Sequence, residues 1–457
     1  MTARIIRIGV FHGWWCFLTL GVLLPLGCSR SDPPEKPPEG EEATVEDYGT
    51  LPGLKGAPHK KLQDELARIT EEGGTPAQLD QHNLPDEQNA AAGLLNLFPE
   101  KTVKALRQRS DELFPSGKFD FNAIQLEKAI RFRKTYEAQR HEAREALARP
   151  GCDFGVRHLA GPAADLSFID VVWICARLEA FAAAEALSRD HDLDAAIESV
   201  RFMLRLAECL GAEKRISCRL EAAYLRTEAL GVIQAILRRS ELTAGQVASL
   251  AEITRDVLRH WPDDAAAWIG DRALGMYCYE LVRAGHIYVM LTARDREQFA
   301  REHSLRELPA AAQRSANQDE LYYLETMRKI IESCARPYFQ RMELFEAMRQ
   351  ELQDLRETDR FPLVAARLLL VDMEKAHEVQ ARDRANYEAM ALALALASGG
   401  EPLPLEVNPL TGEKYKIQRL GNLVTVGNIG TGNENDAPTF AVPDLGKADA
   451  ATTREGP

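Results

Sequence analysis

A chain of 457 residues can bury the core of one large domain or of two smaller ones. Its 45% hydrophobic and 27% charged residues are ordinary for a globular protein and exclude a disordered or fibrous chain. The net charge of −13 argues against nucleic acid as a partner, because a nucleic-acid-binding surface is basic.

The first 27 residues have the parts of a secretory signal peptide. A short basic region precedes residues 8–26, which carry no charge, and the small residue Gly27 stands before Cys28. Gly27-Cys28 resembles the lipobox of bacterial lipoproteins, although Pro25 stands where that family usually has Leu, Val or Ile. The resemblance implies cleavage before Cys28 and acylation of Cys28, which would anchor the protein in a membrane.

Two other interpretations of the N-terminus stay open. A cleaved signal without a lipid would secrete the chain. An uncleaved signal would be a membrane anchor, because its nineteen uncharged residues approach the ~20 that span a bilayer. All three interpretations export the body of the chain. In lipoprotein sorting, Ser29 after Cys28 favours the outer membrane, so we expect an outer-membrane lipoprotein that faces the periplasm.

The body of the chain has the periodicity of helices. Residues 28–58 are a spacer rich in Pro and Glu, and residues 59–398 are the predicted helical domain. Apolar residues there recur at steps of three and four, as in Ile197, Val200 and Leu204. We predict helices at residues 59–72, 122–148, 162–189, 193–210, 214–239, 243–260, 263–291, 320–357 and 363–398.

Short connections between these helices make consecutive helices antiparallel neighbours. The predicted fold class is therefore all-α: an array of antiparallel helix hairpins, either solenoid-like or closed as a bundle. A fixed period of 34 residues is not present in the sequence, so a regular repeat is not supported.

The last sixty residues change character. Residues 399–441 are predicted to form a small β-hairpin tail, whose strands at 414–420 and 423–426 flank Gly421-Asn422. Residues 442–457 are predicted to be disordered. We expect the tail to dock on the helices without building their core.

Six cysteines lie in the predicted domain. An exported chain meets an oxidising compartment, and Cys209 and Cys218 flank a predicted turn between two helices, so these two are the candidate disulfide. The alternative is that all six are small buried side chains. No metal site is predicted, because the sequence has neither a CxxC pair nor histidines at metal-binding spacing.

No catalytic motif is present, and no cofactor is expected. Four carboxylates on otherwise apolar helices are the nearest approach to a hydrolytic site, because paired carboxylates can act as acid and base. These are Asp165, Asp170, Glu179 and Glu185. The alternative is that they bind the nearby arginines 177, 201 and 205.

Two segments resemble known sequences. Pro85-Asp-Glu-Gln-Asn-Ala-Ala, followed by Ala-rich helix hairpins, resembles a group of uncharacterised exported helical proteins of planctomycete-type bacteria. Asn408-Pro-Leu-Thr-Gly, with the hairpin after it, is similar to the closing segment of that group and to the C-terminal hairpin of type II secretion pseudopilins. The group implies export and a helical array but no activity.

The sequence thus favours an interaction or structural lipoprotein of the cell envelope rather than an enzyme. Its expected partners are the membrane, through Cys28, and a protein of unknown identity. The alternative is a helical hydrolase that acts on envelope glycan or peptide. A hydrolase needs carboxylates that converge in one cleft, whereas a scaffold presents a binding surface without them.

Overall fold

In the computed structural model, the described residues are 60–444, except 83, 115–118, 240–241, 292–295, 297–307, 357, 359, 400–404, 406 and 428–438. The predicted signal, Cys28 and the spacer lie outside them. Among the helices that are described, none combines the length and the apolar character needed to cross a bilayer.

The described residues form fourteen α-helices that pack largely in pairs, together with one small antiparallel sheet. The helices are α1 Lys60–Glu71, α2 Pro76–Leu79, α3 Ala90–Leu94, α4 Glu100–Leu113, α5 Ala123–Thr135, α6 Glu137–Leu147, α7 Phe168–Glu185, α8 Leu193–Ala212, α9 Ile216–Leu237, α10 Ala244–Arg259, α11 Asp264–Arg283, α12 Leu308–Ser333, α13 Tyr338–Leu355 and α14 Met373–Ala397. The predicted array of helix hairpins is confirmed.

Local chemistry explains where the central helices begin. The Asp192 side chain caps α8 by accepting a hydrogen bond from the Ala195 N–H at 2.9 Å. Thr243 and Gln246 form a capping box at the start of α10. Leu204 is 4% exposed, so the apolar stripe of α8 faces the core as predicted.

Four predicted helices are interrupted. The helix at 263–291 stops at Arg283, and Gly285 follows with a φ of +82°. The helix at 122–148 breaks at Tyr136, and the one at 320–357 breaks before Pro337, which has no N–H to continue a helix. The helix at 363–398 begins as a π-turn and is broken by Asp372, whose φ is +61°. Gly211 does not end α8 but lies inside it.

The buried apolar residues form two clusters. The first core comes from residues 90–253 and 387–442, so it unites α3–α10 with the second half of α14 and the tail. The second core comes from residues 62–69, from Ile216 and Leu220, and from residues 267–376. Helices α9 and α14 therefore contribute side chains to both cores.

The sheet has the strand order β1-β2-β3, with β1 Lys416–Leu420, β2 Leu423–Gly427 and β3 Thr439–Pro443. The predicted hairpin of β1 and β2 around Gly421 is confirmed, and β3 was not predicted. The sheet packs on α14 through a buried set that belongs to the first core: Val424, Val426, Phe440 and Val442. The tail thus docks on the helices as predicted, but its four buried side chains join the first core instead of lying outside it.

Candidate functional site

A cleft of about 380 Å³ opens where the two cores and the tail meet. Its walls come from the starts of α11 and α13, from the middle of α14 and from the segment before β1. Its aromatic residues are Trp261, Tyr338 and Phe339, and its charged residues are Asp263, Asp264, Arg341, Arg384 and Glu388.

The Asn408-Pro-Leu-Thr-Gly segment forms a tight loop over this cleft. The Asn408 side chain accepts a hydrogen bond from the Leu410 N–H at 2.7 Å, and the Asn408 carbonyl accepts one from the Gly412 N–H at 2.8 Å. Gly412 has a φ of +74°, and a Cβ there would lie 2.8 Å from the Phe339 ring. The loop needs glycine at this position both for the left-handed backbone and for the close approach.

Arg341 is a buried cation whose donors are used by the protein itself. Its Nη1 lies 2.9 Å from Asp264 Oδ2, and its Nε and Nη2 donate to the carbonyls of Arg336 and Cys334 at 2.7 and 2.9 Å. The guanidinium also lies 4.1 Å from the centre of the Tyr338 ring. This arrangement fixes the start of α13 and pairs the Asp264 carboxylate with a cation.

Glu388 joins α14 to the tail. Its two carboxylate oxygens accept hydrogen bonds from Arg384 Nε at 2.7 Å and from the Tyr415 hydroxyl at 2.9 Å. Arg384 lies 4.9 Å from the centre of the Trp261 ring, so the cleft wall carries a cation beside an aromatic face.

The nucleophile and base candidates near the cleft are poorly suited to catalysis. Burial raises the pKa of Cys334 to about 12, so its thiol is protonated at neutral pH. Burial lowers the pKa of His377 to about 4, and its Nε2 lies 3.2 Å from the Tyr338 carbonyl inside the protein. Neither side chain is therefore available as a nucleophile or base at neutral pH in this arrangement.

The four carboxylates predicted on helices do not converge on this cleft. Glu179 binds Arg140 and Arg144, and Glu185 binds Arg133. The expectation of arginine partners is thus correct for these two, but the arginines are not those predicted. Asp165 accepts a hydrogen bond from the Ser167 N–H, and burial raises the pKa of Asp170.

The candidate disulfide residues are both buried, and both are free thiols in the structure. Their pairing stays a prediction. Cys152, from the segment after α6, is a second cysteine near Cys209, because Cys209 raises the pKa of the Cys152 thiol. Cys28 lies outside the described residues. Within the described ranges, no group of three or more His, Cys, Asp and Glu side chains could hold a metal ion.

A second feature is the outer strand of the sheet. All five residues of β1 are exposed, whereas β2 has three buried residues in succession. Ile417 and Leu420 are 48% and 61% exposed. Because β1 is first in the strand order, one of its edges is not paired within the sheet.

Comparison of the chain with protein-family models, with curated proteins and with solved structures finds no match. The site residues must therefore be judged from their own geometry. The cleft was not predicted from the sequence, because its aromatic and charged residues come from three distant helix segments. The tail loop motif that covers it was recognised only as a resemblance.

Proposed function

We propose that this protein is a lipid-anchored interaction protein of the cell envelope that binds an extended, acidic segment of a partner protein along strand β1. The observation that carries the proposal is the full exposure of β1 on a sheet whose other strands are packed into the first core. A strand held rigidly at an open edge can accept a further strand from a partner.

The backbone of β1 offers hydrogen bonds to such a strand. Leu420 and Leu423 flank the two-residue turn, and residues that flank such a turn exchange backbone hydrogen bonds. Hydrogen-bonded and non-hydrogen-bonded residue pairs alternate along the two strands. Gln418 and Lys416 therefore also exchange backbone hydrogen bonds with β2. The N–H and C=O groups of Ile417 and Arg419 point to the open edge.

Charge favours an acidic partner. Lys414, Lys416 and Arg419 place three cations within six residues of a chain whose net charge is −13. The Arg419 guanidinium lies 3.2 Å from an oxygen of Asp444, so part of its charge is already balanced within the chain. The exposed side chains of Ile417 and Leu420 add apolar contacts. Cross-strand pairs of these kinds stabilise added strands.

The test of the binding surface uses an eight-residue peptide that alternates glutamate and valine, with a lysine–valine peptide as the probe of opposite charge. We expect the full chain to bind the acidic peptide only. Replacing Ile417 with Pro removes an outward N–H and should weaken binding at least tenfold. The control is Leu95→Ala, at an exposed site that is far from the sheet in the sequence. Alanine is used there because proline would disturb a helix. Equal binding of both peptides would overturn the proposed surface.

The anchor is tested separately. Cys28→Ser should move the protein from the membrane fraction to the soluble envelope fraction and abolish labelling by a fatty-acid analogue. Cys16→Ser, within the uncharged run, is the matched control and should leave both unchanged. Unchanged labelling of Cys28→Ser would exclude a lipid at this cysteine.

The hydrolase alternative is supported by the three carboxylates of the cleft, Asp263, Asp264 and Glu388. Each has a structural role, because Asp263 caps α11 and the other two bind arginines. Incubation of the purified chain with envelope glycan and peptide substrates tests this function. Release of fragments by the chain, and its loss in Glu388→Gln, would favour the hydrolase over the binding protein.

A further inference from the structure

The segment between α6 and α7 lies along the last turns of α8. The Arg205 Nη2 donates to the carbonyls of Arg149 and Pro150 at 3.1 and 2.9 Å. Eight residues further on, directly after the last residue of α8, the Glu213 carboxylate accepts a hydrogen bond from the Phe154 N–H at 2.8 Å. These contacts fix the segment at both ends.

The spacing of these contacts places two cysteines opposite each other. Arg205, Cys209 and Glu213 follow at intervals of four residues, so they share one face of the helix end, about 6 Å apart along its axis. Two residues of extended chain cover about the same distance. Cys152, two residues after Pro150 and two before Phe154, therefore lies level with Cys209.

The side chains agree with this register. Cys209 is the group that acts most strongly on the ionisation of the Cys152 thiol, which agrees with two neighbouring side chains. Cys209 is 1% exposed within the first core, and Cys152 is partly buried against that core. Cys209, together with burial, raises the pKa of Cys152, so the pair does not expose a reactive thiolate.

We infer that Cys152 and Cys209 form a disulfide in the exported protein. The inference rests on the export of the chain, which is part of the proposed function. The two thiols give up two protons and two electrons as the S–S bond forms. An exported thiol–disulfide oxidoreductase takes both, and its own disulfide becomes a dithiol.

Cys218 is the less suitable partner for Cys209. It lies in the first turn of α9, on the next helix, and it is fully buried beside Glu213 and Arg215, which act on its pKa. A Cys152–Cys209 bond joins two residues that the contacts of Arg205 and Glu213 already hold level with each other.

The disulfide would also hold in place the Pro85-Asp-Glu-Gln-Asn segment, which resembles a segment of known exported proteins. Asn89, the last residue of Pro85-Asp-Glu-Gln-Asn, is held by Asp153: the Asn89 side chain donates to the Asp153 carbonyl at 2.8 Å and accepts from its N–H at 2.9 Å. Ala90 N–H also donates to the Gly151 carbonyl at 2.8 Å. A covalent link at Cys152 therefore fixes the start of α3 through its neighbours.

The experiment extracts the full chain from envelope membranes in N-ethylmaleimide and digests it without reductant. We expect one pair of peptides joined through Cys152 and Cys209. Cys152→Ser should abolish this pair and leave Cys209 alkylated after denaturation, whereas Cys218→Ser, the matched control, should retain it. Alkylation of both Cys152 and Cys209 in exported chain, or a Cys209–Cys218 pair, would overturn the inference.

A second measurement separates this inference from the question of export. The purified full chain is equilibrated with oxidised and reduced glutathione and digested in the same way. If the chain is not exported in cells but the Cys152–Cys209 bond forms in this buffer, the pairing stands and the proposed location is wrong. If the bond does not form in the buffer, the pairing is wrong whatever the location.

Discussion

Phe181 and Tyr279 lie in the two cores and show how these differ. In the first core, Phe181 is fully buried among the rings of Phe114, Phe121 and Phe132, at centroid distances of 6.0–6.4 Å. In the second core, Tyr279 is equally buried, but its hydroxyl donates to Asp319 Oδ1 at 2.5 Å. Burying Phe181 requires only that neighbouring side chains fill the space around its ring. Burying Tyr279 also requires a hydrogen-bond partner for its hydroxyl.

Asp319 shows what the polar arrangement achieves. Besides Tyr279, its carboxylate accepts hydrogen bonds from the N–H groups of Val364 and Ala365, both at 2.8 Å. One buried side chain on α12 thus fixes the turn that leads into α14. We therefore expect cavities to dominate the effects of substitution in the first core, and charge and hydrogen bonding to dominate in the second.

The largest expected effect tests whether the sheet belongs to the first core. Phe440 is 2% exposed, so Phe440→Ala should lower the free energy of unfolding by about 4 kcal/mol. Leu420→Ala, on the 61% exposed side chain of β1, is the control and should change it by less than about 0.5 kcal/mol. Denaturant unfolding measures both. Equal, small effects would show that the tail is only an appendage.

The next effect tests the helical part of the same core. Leu204→Ala should cost about 3 kcal/mol, since Leu204 is 4% exposed on the apolar face of α8. Ile124→Ala, at 69% exposure, serves as the matched control. An unchanged melting temperature for Leu204→Ala would mean that the apolar stripe of α8 faces away from the core.

The second core should respond to pH. Burial raises the pKa of Glu320 to about 7, although Arg283 beside it acts in the opposite direction. An unfolded glutamate has a pKa near 4.3. Between these values the folded chain keeps a proton that the unfolded chain releases, so Glu320 stabilises the fold below about pH 4.3 and loses this effect as the pH rises through about 7.

The free energy of unfolding of the wild-type chain should therefore contain about 2 kcal/mol from Glu320 at pH 5 that is lost at pH 7.5. Glu320→Gln should remove this pH-dependent contribution. Other buried acids remain in both proteins, so the comparison isolates this position. Glu332→Gln, on the exposed face of the same helix, should keep the wild-type difference. If both variants show the same pH dependence, Glu320 keeps its charge throughout this range.

The smallest effect concerns the cleft. Tyr415→Phe removes the hydrogen bond between the tail and Glu388, which lies 2.9 Å away, and should cost about 1 kcal/mol. Tyr277→Phe, at a partly buried tyrosine of α11, is the control and should change the free energy of unfolding by less. A loss in Tyr415→Phe as large as that expected for Phe440→Ala would mean that the cleft, rather than the sheet, holds the tail.

Part of the first core was predictable because α8 has a clear apolar period, as Ile197, Val200 and Leu204 illustrate. The second core was predicted less well. Pro337 indicates a break within an otherwise continuous helical pattern, and the predicted helix did not take it into account. The left-handed backbone of Asp372 is not indicated by any neighbouring residue. Strand β3 is only five residues long, and it gains its stability from Phe440 and Val442 in the core rather than from its own sequence.

The cleft could not have been predicted by these means. Trp261, Tyr338, Arg384 and Pro409 are far apart in the sequence and meet only through tertiary packing. The proposed binding strand is a different case. The hairpin turn and the cations of β1 were visible in the sequence, but its exposure depends on which face of the sheet packs against α14.

The helices α9 and α14 have one further consequence, because each runs from one core into the other. Ile216 and Leu220 belong to the second core and Ala222 onward to the first, while α14 passes from Met373 in the second to Tyr387 in the first. A boundary between the cores would have to cross two continuous ladders of backbone hydrogen bonds. Melting either core removes the support of a helix that the other requires, so heating should give a single calorimetric peak whose enthalpy equals the van't Hoff value.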